Sequence, residues 1–406
     1  MVVGTGQIYA RHVPAAEPTV FWICGASGAG KSVAAWALFK ALAADGVRVA
    51  CVDIDQLGML YPATDDDPER HLLKAEALAA LVPGYASAGA QVLVVSGVLD
   101  PEVGPAAVLA SEVDLTLCLL SADPATLRER ILARGWDEED VDEAVAVNAA
   151  LCDASFVDAT IETTRLSVVE TVERLRALVR VVDLSTAASR SAVRSPAELG
   201  VVVVTGPRAV GSSTVGFGLA MGRWRADLRT GFVDLQQLAF FACPESTEIT
   251  DTALATTQLA AMHAFLAARG ATLLVVSGHL GAADRSTLRD ALPIAPVTVV
   301  RLRADVATLE AHVRDRVTGS EARLAGDDLL GVGAGYQAAV VAAALAEQEH
   351  LDVSASDDAV LDVTGHTAAD AVADVERLVA SQTPSGTRTR PGDCISATPT
   401  IRADEP

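Results

Sequence analysis

Residues 19–32 read TVFWICGASGAGKS: a run of strand character, then Gly25, four residues, and Gly30-Lys31-Ser32. This is a complete Walker A pattern in the setting that pattern needs, between a strand and a helix. The glycines let the chain turn tightly, so that the stretch Gly25, Ala26, Ser27, Gly28, Ala29, Gly30, Lys31, Ser32 and Val33 can aim successive backbone N–H groups at phosphate oxygens. Lys31 supplies a point charge for terminal phosphates, and the Ser32 hydroxyl can ligate the Mg2+ that accompanies them. The following SVAAWALFKALAAD has helical periodicity, which turns the positive end of a helix toward the same spot. The bland alternative, a glycine-rich turn that binds nothing, does not explain why strand, motif and helix come in this order. Lysine is scarce in this chain: of 31 basic residues, three are lysines, at 31, 40 and 74. A compact ammonium rather than a guanidinium at position 31 therefore reads as a chemical choice.

Working outward, 406 residues with 50% apolar content favour two domains over one. The net charge of −22 argues against a nucleic-acid partner, because phosphate backbones need a basic surface. An anionic substrate would need a locally positive pocket. Six cysteines, Cys24, Cys51, Cys118, Cys152, Cys243 and Cys394, show no CxxC or zinc-like spacing. They read as reduced thiols, three of them in apolar strand-like runs. The first 18 residues lack the apolar core of a signal peptide, and no apolar run reaches the roughly 20 residues that span a bilayer. The expectation is a cytoplasmic protein with no membrane partner.

The chain reads as one domain written twice. VFWICGASGAGKS (20–32) matches VVVTGPRAVGSS (202–213), with Gly25 over Gly206, Gly30 over Gly211 and Ser32 over Ser213. At the same offset, VDIDQL (52–57) lies over VDLQQL (233–238), and LVVSG (93–97) over LVVSG (274–278). ADPATLRERILAR (122–134) then pairs with ADVATLEAHVRDR (304–316), and ETVERL (170–175) with ADVERL (373–378). Short apolar strands alternate with amphipathic helices in each copy, which implies βαβ units and an α/β fold of two three-layer domains, each with a mostly parallel five-stranded sheet. Strands are expected near 19–24, 47–53, 91–96, 113–120 and 157–162, and near 200–205, 230–234, 271–276, 296–302 and 359–363. Domain boundaries are placed at 1–183 and 199–381, with a polar linker at 184–198 and a disordered tail at 382–406. Contact between the two copies within the chain is expected, and a homo-oligomer is left open.

Strand two ends in Asp53-x-Asp55. Residues two apart on a strand face the same way, so both carboxylates are expected to emerge together at the carboxyl edge where the glycine loop sits. One could hold magnesium and the other orient an acceptor hydroxyl or take its proton; a solvated acidic loop is the plain alternative. With GASGAGKS, DID, ADPATLRERILAR and FVDATIETTRLSVVETVERL, residues 18–182 resemble the P-loop small-molecule kinases of the shikimate and gluconate kinase-like group, related to nucleoside monophosphate kinases. Residues 199–381 resemble them more loosely. The resemblance implies ATP and Mg2+, sheet order 2-3-1-4-5, and a lid whose arginines steady the transferring phosphoryl group. The matching positions are Arg130 and Arg134, which on a helix would share a face; ion pairs with Glu129, Asp137 or Glu138 are the alternative. Arg165 resembles the segment that contacts adenine. The catalytic set is thus Lys31, Asp53, Asp55, Arg130 and Arg134, with Ser32 and Asp53 for the metal. Strand three carries Ser96 where other P-loop proteins have a Walker B acid. Arg70, His71 and Lys74 are candidates for meeting an anionic small-molecule acceptor, and a solvated helix start explains them equally well.

The second copy departs at the chemistry: Ser212 stands for Lys31, Gln236 for Asp55, Ala209 for Gly28 and His312 for Arg130, while Ser213 and Asp234 persist. It is expected to fold without catalysing, with Arg208 a speculative substitute cation. The leading expectation is an ATP-dependent phosphotransferase working from the N-terminal copy. The alternative is an ATP-binding regulatory or assembly protein that phosphorylates no acceptor. An ATPase or GTPase proper is disfavoured, since there is neither a Walker B acid nor an NKxD base-reading motif.

Overall fold

The computed structural model describes residues 17–105, 113–182, 194–318, 326, 329, 331–353 and 358–382. The N-terminal segment, Cys394 and the tail beyond residue 382 lie outside the described residues. β1 (Thr19–Cys24) is buried along its whole length, as a central parallel strand covered on both faces must be. The first sheet adds β2 (Val49–Asp53), β4 (Val92–Ser96), β5 (Leu115–Ser121) and β6 (Ala159–Glu162), in the order β6-β5-β1-β4-β2 and all parallel. In chain order that is 2-3-1-4-5. A second sheet, from β7 (Val201–Thr205), β8 (Thr230–Asp234), β10 (Leu273–Ser277), β11 (Val297–Arg303) and β12 (Ala359–Asp362), has the same order, β12-β11-β7-β10-β8.

Each sheet has six strands, not the five expected, and the sixth comes from the other half of the chain. β3 (Leu60–Tyr61), from the N-terminal half, pairs antiparallel with β8. β9 (Phe241–Ala242), from the C-terminal half, pairs antiparallel with β2. Both edges that would otherwise expose unpaired backbone are thereby covered. Aromatic side chains follow the strands. Phe240 lies 4.8 Å, centroid to centroid, from Trp36, and Tyr61 lies 4.6 Å from Trp224.

The halves also share a core. α3 (His71–Ala88) packs on the helix Thr252–Ala268, and one buried cluster runs from Leu78, Leu81 and Tyr85 to Leu259, Met262 and Leu266. Gly84 is the close-approach point: a Cβ there would sit 2.4 Å from Gln258 Oε1. The Gln258 side chain donates to the Leu81 carbonyl at 3.1 Å. The end of the expected linker is anchored, not free. Ser195 is fully buried, and its hydroxyl is 2.7 Å from His263 Nδ1. His263 Nε2 reaches the Leu199 carbonyl at 2.8 Å, so the neutral ring accepts from Ser195 and donates to Leu199.

Candidate functional site

The glycine loop opens α1 (Lys31–Ala44) through Gly30, which adopts φ 96°, ψ 17°. No heavy atom lies within 4 Å of a Cβ built at Gly30, so this corner faces open space. Gly25 is the tight corner: a Cβ there would come within 2.3 Å of the Leu120 carbonyl on β5. The loop therefore lies against the carboxyl ends of the sheet. Lys31 bends back and donates to the Ala26 carbonyl at 2.9 Å. Burial pulls its ammonium below the ordinary lysine range, and the charges of Asp55 and Asp53 oppose that shift.

The two strand-end carboxylates do stand at this edge, but not by strand alternation. β2 stops at Asp53, which caps the four-residue helix α2 (Ile54–Leu57) by accepting from the Asp55 N–H at 3.0 Å. Asp55 therefore sits in the first turn of a helix, and the two side chains take different partners. Asp53 accepts from the Ser32 hydroxyl at 3.2 Å and from the Ser96 hydroxyl at 2.9 Å. Asp55 pairs with Lys74 at 2.7 Å. Ser96, at the place of the missing Walker B acid, thus fastens the Asp53 carboxylate to the neighbouring strand.

Electrostatics separate the pair further. Burial and the nearby Asp55 charge push Asp53 up to about 6, against hydrogen bonds from the Asp55 amide and Ser96. Burial acts on Asp55 in the same sense, but Lys74, Lys31 and Arg70 outweigh it and hold this carboxyl below the usual range. Of the two, Asp55 keeps its charge and Asp53 takes the first proton.

Arg130 lies on α4 (Pro124–Leu132) and reaches the loop, not the acids on its own surface. It donates to the Gly28 carbonyl at 3.2 Å and to Thr163 at 3.3 Å through both side-chain and main-chain oxygens. Glu138, its expected alternative partner, is taken by Arg128. Arg134 does not share the helix face with Arg130, because the helix ends at Leu132 and Arg134 falls in the turn beyond. Burial and the Arg130 charge lower its affinity for its proton, and its own charge acts on Lys31, so it too stands near the loop. Arg165 is exposed in the turn after β6, with Glu162 as its charged neighbour.

Sequence reasoning missed Thr163. It is buried, donates to the Ser121 carbonyl at 2.9 Å, and braces both Arg130 and the back of the loop. The Thr163-Thr164 pair directly after the last strand was the available signal. On the acceptor side Arg70 is buried, with its guanidinium 3.8 Å from the Tyr61 ring centroid. His71 is held below the usual histidine range, by burial first and by Lys74 next.

In the C-terminal half Gly211 opens the helix Ser212–Arg225 at φ 96°, ψ 19°. Asp234 accepts from Ser213 at 2.6 Å and from Ser277 at 2.9 Å. His312 Nδ1 lies 3.0 Å from the Ala209 carbonyl, in the role Arg130 plays at Gly28. Arg208 has its backbone N–H and its guanidinium both engaged by Glu347.

Among the described residues no cluster of His, Cys, Asp and Glu could hold a metal by itself. None of their helices is long and apolar enough to cross a membrane. Cys24, Cys51 and Cys118 are buried and unpaired.

Residues 22–149 match a family model described as an AAA domain. No curated protein matches the chain. The solved structures it resembles include several kinases. One is a shikimate kinase from Bacteroides thetaiotaomicron, 16% identical, covering 39% of this chain and 97% of that one at a TM-score of 0.30. A gluconokinase from Sinorhizobium meliloti 1021 is 18% identical over 45% and 95% of the two chains, with a TM-score of 0.29. An APS kinase from Mycobacterium tuberculosis, solved with AMPPNP and APS, is 15% identical over 40% and 97%, with a TM-score of 0.30.

Proposed function

We propose that the N-terminal half is an ATP-dependent phosphotransferase that acts on a small anionic or hydroxylated acceptor. One observation carries the reading: Asp53 and Asp55, two residues apart, are held in different roles. Asp53 faces the Ser32 hydroxyl at the head of the glycine loop, whereas Asp55 faces Lys74 on α3. The first arrangement suits a metal-nucleotide and the second a proton-accepting or orienting group beside an anion-binding cation.

The residues fit the groups this chemistry requires. Gly25, Gly28 and Gly30 have φ of +149°, +79° and +96°, and a Cβ at Gly25 or Gly28 would also crowd Leu120 or Ile131 behind the loop. ATP phosphates would lie on the amides of residues 26–33 with Lys31 swung off the Ala26 carbonyl. Ser32 and Asp53 would hold Mg2+, which neutralises phosphate charge when bound. Arg130, fixed to the loop backbone and to Thr163, keeps that loop in shape and brings positive charge beside it. Arg134 adds a second. Arg165 borders the base end. Asp55 orients the acceptor hydroxyl and receives its proton, while Lys74, Arg70 and His71 define an electropositive acceptor wall. Residues 184–198 form the boundary between this unit and a non-catalytic C-terminal partner within the same proposal.

A metabolite-pool screen for ATP consumption, with Lys31→Ala as control, tests the reading. Acceptor-stimulated turnover in the wild type, lost in Lys31→Ala at unchanged melting temperature, is the expected result. The alternative, an ATP-binding regulator without transfer, draws support from the reciprocal edge strands, which tie the acceptor segment to the other half. ATP binding with no acceptor-stimulated turnover across the pool would select it.

A further inference from the structure

The C-terminal half contains a cleft of about 1010 Å³ between the loop 206–213 and the segment 363–371 that follows its last strand. A bare phosphate would leave it mostly empty. Drug-sized and cofactor ligands occupy clefts of about 300–1,000 Å³. At one end the loop retains phosphate-binding geometry without the sequence that marks it. Gly211 has φ and ψ within 2° of those of Gly30. Ala209 is forced to φ 60°, where a residue with a Cβ costs about 1 kcal/mol. The Asp234–Ser213–Ser277 triangle repeats Asp53–Ser32–Ser96. At the other end Gly365, with open space around a Cβ position, leads into Thr367 and Ala368. What differs is the ammonium that Lys31 supplies in the first loop: Ser212 stands in its place, so charge on a transferring phosphoryl group would go unstabilised here.

The wall of this cleft is not made by the C-terminal half alone. Gln56 and Met59 line it. Gln56 follows Asp55 on α2, and the Met59 carbonyl accepts from the Phe232 N–H at 2.9 Å. Leu60–Tyr61 is β3, paired to β8. Arg70, stacked on Tyr61, and Lys74, bonded to Asp55, return the chain to the first site. One continuous segment, 55–62, is therefore both the acceptor rim of the first site and part of the second cleft.

We propose that the second cleft is a regulatory site that holds a nucleoside phosphate without transferring it, and that segment 55–62 reports its occupancy to the first site. The nucleotide class follows from an anion-binding loop at one end of a cleft large enough for a base and sugar beyond it. The coupling follows from shared residues: a ligand that repositions Gln56 or Met59 moves the backbone that carries Asp55. Site-to-site couplings of this kind amount to about 5- to 150-fold in affinity. The inference about coupling rests on the first site binding nucleotide, as proposed above; occupancy of the second cleft does not.

The test is equilibrium binding of MgADP to four full-length chains: wild type, Lys31→Ala, Ser212→Glu and the double variant. Ser212→Glu places a carboxylate where the loop would face phosphate, while an acid at a helix N-terminus is favourable for folding. Ala311→Trp, which fills the cleft instead of reversing its charge, is the second variant. The expected result is two binding transitions in the wild type, one in each single variant and none in the double. First-site affinity in Ser212→Glu should differ at least fivefold from that in the wild type with its second cleft filled. Binding that disappears with Lys31→Ala alone overturns the proposal and leaves the first-site reading standing. Equal first-site affinities with and without Ser212→Glu overturn it as well. Binding that survives only at the second cleft would overturn the phosphotransferase reading instead.

Discussion

The Lys74 side chain, 9% exposed, places its ammonium 2.7 Å from the carboxylate of Asp55, whose side chain is 42% exposed. A buried cation thus holds one side of an acid that solvent still reaches. It also keeps the lower proton affinity on Asp55 and leaves the higher one on Asp53.

Lys74→Met removes that charge and keeps the stem. Asp55 then loses the strongest influence holding its proton affinity down, so the acid limb of the pH–rate profile should move to higher pH. The stability effect has a defined sign. A carboxyl whose folded pKa is depressed stabilises the fold above its unfolded pKa, and the contribution is lost as pH falls through the folded value. Lys74→Met should therefore cost about 1 kcal/mol at pH 7, the upper range for a partly exposed ion pair, and less at pH 3. Urea melts at the two pH values measure it. An equal cost at both would assign Lys74 to packing alone.

Asp53→Asn should act oppositely. Asp53 is raised from 3.8 to about 6, so its protonated form suits the empty fold and its charge opposes it above pH 6. The stability it contributes is complete below its unfolded pKa and is lost as pH rises through 6. Asp53→Asn should melt higher than the wild type at pH 7.5, with no advantage at pH 3.5. The shift bounds the gain at about 3 kcal/mol, and partial exposure brings the expectation to about 1–2 kcal/mol. The same variant should weaken Mg2+-dependent nucleotide binding, so stability and binding part company in one protein. A lower melting temperature at pH 7.5 would show that the Ser32 and Ser96 hydrogen bonds outweigh the desolvated charge.

Arg130→His installs the C-terminal half's own solution in the N-terminal half, where His312 meets the Ala209 carbonyl. A ring nitrogen can replace the bond to the Gly28 carbonyl but not the two to Thr163, and at pH 8 it brings no charge. The fold should survive with a loss below about 1 kcal/mol. Turnover should fall by about 10²–10³, the usual cost of removing one charge-stabilising donor. Partial recovery of rate toward pH 6, as the imidazole gains its proton, would separate loss of charge from loss of loop shape.

The parts of this architecture that rest on long patterns were legible in the sequence. Ten strands fell within two or three residues of their expected positions, because each is a continuous apolar run between turn signals. The glycine loop was legible for a different reason: each of its residues has a stated job. The sixth strand of each sheet was not visible. Leu60–Tyr61 and Phe241–Ala242 are two residues long, too short for any alternation to show, and their partners lie far away in the chain. Asp53 and Asp55 were placed at the correct edge by an argument that fails locally: the strand ends at Asp53, two residues short of Asp55, and a cap supplies the geometry instead. Thr163 escaped notice because its partners, Arg130 and the loop, meet only when β6 comes to lie beside β5. The partner of Arg208 was not legible either, because Glu347 lies far along the chain.

The exchanged edge strands make the first site depend on a residue of the other half. Phe240 is 1% exposed and buried in the N-terminal core, its ring 4.8 Å from Trp36 on the helix that follows the glycine loop. Its carbonyl accepts from the Cys51 N–H at 3.1 Å, two residues before Asp53. Phe240→Ala leaves a cavity beneath α1 without touching the loop. Truncations of this kind cost about 3–5 kcal/mol, a large share of the 5–15 kcal/mol that holds a typical domain together. Phe240→Ala should lower the denaturation midpoint by that amount and weaken MgATP binding at the first site, although residue 240 lies in the C-terminal half. By the same logic, residues 17–182 produced alone would expose the β2 edge together with Trp36 and Phe39, and should aggregate or melt well below the full chain. A soluble fragment with wild-type stability would mean that β9 merely rests on a sheet already complete without it.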